Sequence, residues 1–290
     1  MFLKDCDIMK TAFLGPEATF TEMAVKAVFP DTERIACQTI PDCLEAVKNN
    51  QADAAVIPLE NALEGSVNVS VDYLYHEENP PIRGEIIVPI KQHLMVHPHH
   101  AQNWEKAIKI VSHPHALAQC HKFLRSHFQK AVIEPMNSTA AAAKYVSEHP
   151  EGNYGAIANQ LAAEKYGLTI VKADIQDYTV NHTRFIALSD RPLKFALSSS
   201  VVKTSVMVTL ASDRAGSLNQ VLSAFAWRNL NLSKLESRPL KTGLGNYFFM
   251  IDINHSLNEP LLQFALEEIR ALGCTVKILG SYKSYAVESP

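Results

Sequence analysis

Short apolar runs alternate with amphipathic stretches over the first two thirds of the chain, the pattern of strands feeding helices. Runs at 11–14 and 54–57 and a segment near Ile35 read as strands, and the unbroken 54–57 run as a buried one. Gly15-Pro16 breaks the first of them. Thr19 then stands three residues before Glu22, the capping-box spacing that opens a helix to about Phe29. A second helix spans about 41–49, with Pro41 at a permitted first-turn position. Pro58-Leu-Glu-Asn61 reads as a loop before a helix over about 67–75, and a strand at 85–90 continues through a polar break into 94–96.

A second alternating set follows: strand 108–111, helix 116–128, a short strand near Val132, helix 139–148, strand 155–158, a helix to Tyr166 and strand 168–171. The apolar run 185–188 is a further buried strand, placed to return to the first set. Two α/β lobes in succession predict a cleft between them, with helix starts facing the carboxyl edges of the strands, where such folds bind ligands. From about 190 to 200 the pattern lapses into a linker. The rhythm then changes to strand 204–210, helix 217–228, strand 230–237, strand 247–253, helix 259–272 and strand 274–282. That order is βαββαβ, the ferredoxin-like arrangement, and predicts a separate small domain.

Composition narrows the class. At 290 residues the chain is too long for one ordinary core. A hydrophobic fraction of 47% with net charge -3 describes a globular protein without a nucleic-acid footprint. No apolar run reaches the roughly 18 residues of a membrane span, and residues 1–10 lack a signal-peptide core. The five cysteines (Cys6, Cys37, Cys43, Cys120 and Cys274) are scattered and odd in number, which favours reduced thiols and a cytoplasmic location.

Candidate chemistry gathers where the elements begin. Asn181, His182, Thr183 and Arg184 immediately precede the 185–188 strand, so a hydroxyl and a guanidinium share one strand start. Arg can grip a carboxylate with two parallel hydrogen bonds, and a Thr hydroxyl beside it can donate to a leaving oxygen. Gly15-Pro-Glu-Ala-Thr19, Ser112-His-Pro-His115 and Asn137-Ser-Thr139 put small or hydroxyl residues between strand and helix. Free N–H groups and the helix dipole make such places anion sites, which points to a small carboxylate-bearing substrate. Glu60 and Asn61 set a carboxylate and an amide at one strand end, with Gln119 able to face the same space. Neither G-x-G-x-x-G nor G-x-x-x-x-G-K-[ST] occurs, so neither a dinucleotide nor a nucleoside triphosphate is indicated. The His97-Pro-His-His100 and His113-Pro-His115 clusters have no metal-ligand spacing, and no metal is expected.

Gly15-Pro-Glu-Ala-Thr-Phe20, Pro58-Leu-Glu-Asn-Ala-Leu-Glu-Gly65, Ser112-His-Pro-His-Ala116 and Asn181-His-Thr-Arg-Phe185 together closely resemble the motifs of the prephenate dehydratase family. Gly216-Ser-Leu218 and Glu236-Ser-Arg-Pro239 resemble the two phenylalanine-site motifs of its C-terminal ACT domain, and the resemblance runs in order from about residue 10 to 285. It implies a two-lobed, periplasmic-binding-protein-like catalytic region over 9–190, with lobe 1 at about 9–90 plus 183–190 and lobe 2 at about 91–182. A linker at 191–202 and an ACT domain at 203–286 would follow. The implied reaction is decarboxylative dehydration of prephenate to phenylpyruvate without a cofactor, in a monofunctional enzyme. By the same resemblance Thr183 helps the hydroxyl leave and Arg184 binds a carboxylate. Glu60 and Asn61 share the catalytic set, while Thr19, Ser112, Gln119, Ser138, Thr139, Asn181 and Phe185 hold the substrate.

The ACT likeness implies inhibition by L-phenylalanine through Gly216, Ser217, Leu218, Glu236, Ser237, Arg238 and Pro239, in a homodimer or homotetramer. Four positions depart from the family: Ala62 stands for the usual Ser, His115 for Gln, Ser217 for Ala and Asn219 for Val. His115 adds a group titrating near neutrality at a helix start, so substrate binding is expected to respond to pH. Arogenate, with an amino group where prephenate has a keto group, is the alternative substrate. A phenylalanine sensor without turnover, or a solute-binding protein, are the non-enzyme readings of a two-lobed cleft.

Overall fold

The structure is a computed structural model, and it describes residues 8–212, 214–240 and 247–288. Cys6 and most of the leader segment read above lie outside that set. In chain order the elements are β1 (Lys10–Leu14), α1 (Phe20–Val28), β2 (Glu33–Cys37), α2 (Ile40–Lys48), β3 (Ala54–Asn61), β4 (Gly65–Ser66), α3 (Asn68–His76) and β5 (Ile82–Pro89). Then come β6 (His93–Val96), β7 (Lys109–Ser112), α4 (Pro114–Gln119), α5 (His121–His127), β8 (Val132–Pro135), α6 (Thr139–Glu148), β9 (Tyr154–Ala158), α7 (Gln160–Tyr166) and β10 (Thr169–Lys172). The last are β11 (His182–Leu188), β12 (Val202–Thr209), α8 (Ser217–Ala226), β13 (Leu232–Pro239), β14 (Tyr247–Ile253), α9 (Pro260–Ala271) and β15 (Thr275–Ala286).

The strands form two sheets. The smaller runs β10-β6-β9-β7-β8. The larger runs β13-β14-β12-β15-β5-β11-β3-β1-β2, with β4 paired on β3. Phe13, Val56, Phe185 and Ala187 pack under α1 on one face of the large sheet, while Ala12, Ile57, Leu59 and Ile186 pack toward α2 and α3 on the other. Two passages join the sheets: the step from β5 to β6, and the return over residues 173–181 into β11.

Four expectations change. Pro58-Leu-Glu-Asn61 is strand, not loop, because β11 and β4 supply hydrogen-bonding partners out to Asn61. The run 85–96 divides at its polar break between the two sheets. The single helix expected at 116–128 is two, α4 and α5, meeting at Cys120. The C-terminal βαββαβ unit is not a separately packed body, since β15 pairs in parallel with β5 and makes one continuous sheet. Gly280 permits that junction: a Cβ there would stand 2.3 Å from the carbonyl oxygen of Ile82. The helices α8 and α9 cover one face of this unit over Val206, Val208, Phe249 and Ile251. Its other face, with Met207, Phe248, Met250 and Tyr282, joins the lobe 1 core, where Tyr75 stacks on Phe248 with centroids 4.0 Å apart.

Candidate active site

The site is built on two neighbouring strands. β3 and β11 run antiparallel with Thr183 opposite Asn61 and Arg184 opposite Glu60. Successive side chains on a strand point to opposite faces, so these two cross-strand pairs look in opposite directions. Thr183, Asn61 and Phe185 face a cleft of about 310 Å³ between the lobes, a size suited to a small organic acid. Asn61 Nδ2 donates to Thr183 Oγ1 at 2.9 Å and to Asn181 Oδ1 at 3.0 Å. Asn61 Oδ1 accepts from the backbone N–H groups of Leu63 and Glu64, which fixes the end of the amide that faces Thr183. With its oxygen accepting from Asn61, Thr183 keeps its own proton for a ligand.

Three helix starts close the cleft. Thr19 caps α1 by accepting from Glu22 N, while Glu22 reaches back to Ala18 N. Ser138 caps α6 by accepting from Ala141 N at 2.9 Å, which leaves the Ser138 proton to donate. Thr19, Ser138 and Thr139 all line the cavity. From α4, Gln119 Oε1 accepts from Asn181 Nδ2, while Gln119 Nε2 donates to Glu64 Oε1 at 3.1 Å. Glu64 Oε2 in turn meets His115 Nδ1. A continuous chain of polar contacts thus runs His115–Glu64–Gln119–Asn181–Asn61–Thr183 from lobe 2 into lobe 1.

Four residues expected at the substrate do not line the cavity: Asn181 is buried behind Asn61 and Gln119, and three others stand elsewhere. Arg184 is buried on the face away from the cleft, against Glu85 of β5, Asp252 of β14 and Tyr282 of β15, with Glu60 at 3.5 Å. Burial alone would lower the Arg184 pKa, but Tyr282, Asp252 and Glu85 together hold it well above the ordinary value. A guanidinium already surrounded by three of the protein's own carboxylates is not available to grip the substrate's. Glu60 follows Arg184 to that face, where Lys234 of β13 holds its Oε1 at 2.9 Å. Ser112 is wholly buried in β7 and donates to the Ile157 carbonyl at 2.6 Å. Its hydroxyl closes a gap between strands; it does not line the cavity.

The residues expected at an effector site occupy two places on the C-terminal unit. Gly216 caps α8 at φ 88°, a left-handed conformation that glycine takes without strain, ahead of Ser217 and the half-buried Leu218. On β13, Glu236 and Arg238 turn toward lobe 1: Glu236 meets Ser66 and Lys234, and Arg238 pairs with Asp72 and Asn68. Ser237 and Pro239 are exposed along the same strand.

Glu64 lines the cavity without having been singled out in the sequence, and His113, read there only as part of a histidine cluster, lines it too. Among the described residues no cluster of His, Cys, Asp and Glu is arranged to hold a metal, and no helix is long and apolar enough to cross a membrane. Burial lowers the pKa of His113, with His115 adding to the effect and Glu64 opposing it. Burial likewise lowers that of His93, against the pull of Asp174. Both imidazoles therefore bind protons less readily folded than unfolded. As pH falls through the ordinary histidine value of 6.5 the unfolded chain takes up protons first, and stability drops. The thermal midpoint is expected to fall between about pH 7.5 and pH 5.5, and His93→Asn to flatten that fall. Equal slopes for the two proteins would remove His93 as a cause.

Comparison with known proteins adds the family. The family model for prephenate dehydratase matches residues 11–193. A Bacillus subtilis (strain 168) protein named prephenate dehydratase is 54% identical over 283 residues, covering 96% of this chain and 99% of that protein. An Arabidopsis thaliana protein named arogenate dehydratase/prephenate dehydratase 2, chloroplastic, is 34% identical over 283 residues, covering 94% of this chain and 72% of that one. The crystal structure of prephenate dehydratase from Arthrobacter aurescens in complex with L-Phe aligns with TM-score 0.84 at 35% identity, covering 97% of this chain and 94% of that one.

Proposed function

We infer the workings of the cleft from one premise: the chain belongs to the prephenate dehydratase family. Its reaction converts prephenate to phenylpyruvate, water and carbon dioxide, a carbon–oxygen lyase step in phenylalanine biosynthesis. Prephenate carries two carboxylates and a ring hydroxyl. The electron pair of the bond between the ring and its carboxylate enters the ring, carbon dioxide departs, and the hydroxyl at the opposite ring carbon is expelled. One proton is consumed as that hydroxyl becomes water. Aromatisation supplies the driving force, so the protein's part is to hold the dianion and to stabilise the oxygen as it leaves.

The observation that carries this assignment is the Asn61–Thr183 contact in the cleft. Thr183, oriented as a donor, protonates or hydrogen-bonds the leaving oxygen. Ser138, Thr139, Thr19 and Gln119 hold the substrate's polar groups, and Phe185 packs against its ring. A Thr hydroxyl is a feeble acid in water, but a donor already held in place, as Asn61 holds Thr183, is worth much more.

The C-terminal unit is an ACT-type regulatory domain that binds L-phenylalanine near Gly216–Leu218 and Glu236–Pro239. The Arthrobacter aurescens relative was solved in complex with L-Phe, which supports the reading. β13 is the edge strand of the large sheet, and Leu235 of β13 and Tyr247 of the adjoining β14 are each 45% exposed. An apolar edge of this kind accepts a second copy of the chain, consistent with a homodimer or a tetramer built from it. Glu236 meets Lys234, which holds Glu60, the strand neighbour of Asn61. This gives effector binding a route to the catalytic strands.

The test is turnover of prephenate and of arogenate by the purified protein, following phenylpyruvate and phenylalanine, with and without added L-phenylalanine. Prephenate turnover suppressed several-fold by phenylalanine is the expected result. Turnover unaffected by phenylalanine, with none bound, would remove the regulatory assignment and leave the enzyme standing.

A further inference from the structure

We propose that His115 is the group that receives a carboxylate of the substrate, making it a specificity-determining residue of the cleft. The inference rests on the cleft being the site of the reaction. Prephenate arrives with two negative charges, yet no Lys or Arg is found among the described residues that line the cavity. Arg184, the cation next to Thr183 in sequence, is spent on Glu85 and Asp252 behind the sheet. The lining residues able to carry charge are Glu64, His113 and His115.

Of these, Glu64 has the wrong sign. His113 Nδ1 accepts from the His115 backbone N–H at 3.3 Å to cap α4, which requires that nitrogen to carry no proton, and burial lowers the His113 pKa in the same sense. That leaves His115. Its Nδ1 lies against Glu64 Oε2, a contact that calls for a proton on Nδ1. Nε2–H is then the donor turned to a ligand, on the same logic by which a carboxylate orients a histidine at a metal. The charged and titratable groups facing His115 among the described residues are Glu64, from the turn after β3, and His113, from its own helix start. Gln119 and Asn61 contribute neutral amides.

Side-chain exposure of 61% for His115 and 33% for Glu64 means the ion pair does little to hold the lobes together. Its consequence is orientation. Glu64 Oε1 is tied through Gln119 and Asn181 to Asn61, the residue that aims Thr183. A carboxylate docked on His115 is therefore registered against the donor that meets the leaving oxygen.

The experiment is steady-state kinetics of the full chain with prephenate, comparing wild type, His115→Gln and His115→Lys between about pH 6 and pH 9, with Thr183→Ala alongside. Because His115 is exposed, these substitutions leave the fold intact. Losing a charge-assisted hydrogen bond made in both ground and transition state is expected to raise KM by about 10–100-fold in His115→Gln, with kcat within about threefold. His115→Lys, which keeps a cation, recovers most of that loss. Wild-type KM is expected to climb across that pH range, while that of His115→Gln stays flat. A His115→Gln KM equal to wild type, a wild-type KM independent of pH, or a His115→Lys KM no better than that of Gln would each overturn the proposal. If those results came with a large kcat loss in Thr183→Ala, the cleft assignment would stand while the role of His115 fell. If Thr183→Ala were also unimpaired, the cleft assignment itself would go.

Discussion

Thr183→Ala lowers kcat by about 10²–10⁴, the range for a positioned proton donor, and leaves KM within a few-fold. The split follows from where the interaction matters. The substrate's hydroxyl is neutral when bound and takes on negative charge only as its bond to the ring breaks, so the Thr183 donor stabilises the transition state far more than the ground state. Asn61 ensures that Thr183 offers a proton there, because its own Nδ2 already fills an acceptor position on Oγ1. Thr183→Ser, which retains the hydroxyl, stays within about tenfold of wild type on the same reasoning. A Thr183→Ala enzyme with kcat within a few-fold of wild type would take this residue out of the chemistry.

Arg184→Met destabilises the protein by about 3–5 kcal/mol, the cost of breaking a buried ion pair from one side. For a chain of this size that corresponds to a fall in thermal midpoint of roughly 5–15 °C. Removing the guanidinium leaves Asp252 and Glu85, both wholly buried, without their central counter-charge. Ser205 still supports Asp252, and Lys203 and Ser284 still support Glu85, which keeps the loss finite. Calorimetry of the variant decides between two roles for this arginine. A raised KM with an unchanged midpoint would return Arg184 to the substrate; a lowered midpoint identifies it as the brace between the catalytic strands and the C-terminal unit. Adding Asp252→Asn to Arg184→Met should recover part of the stability, since contacting residues do not contribute additively.

That contrast shows how far the sequence could be read. The motif around Thr183 was visible because its residue types are concentrated at one strand start, and the strand itself follows from the apolar run 185–188. The side of the sheet that each residue faces was not visible. Side-chain type and the family resemblance both send Arg184 to the substrate, yet its partner Asp252 lies 68 residues further on, in a different supersecondary unit. Ser112 misleads in the same way: a hydroxyl before a helix looks like a cap, but it is the last residue of a buried strand. Glu64 escaped notice because nothing local marks a turn carboxylate that crosses a cleft to His115 and Gln119. The break at Cys120 within 116–128 was also hidden, since both halves carry helix-forming residues.

By itself the sequence determined the order of strands and helices, the capped helix starts at Thr19 and Ser138, the βαββαβ closing unit and the polar residues at the strand ends. These depend on interactions within a few positions of one another: apolar period, side-chain-to-backbone hydrogen bonds, and proline and glycine geometry. That β15 joins β5, that Pro58–Asn61 extends as strand, and that Thr183 faces the cleft while Arg184 faces Asp252 came from the packed fold. Strand pairing and register depend on partners far away in the chain, and a single-residue change of register exchanges the two faces of a strand.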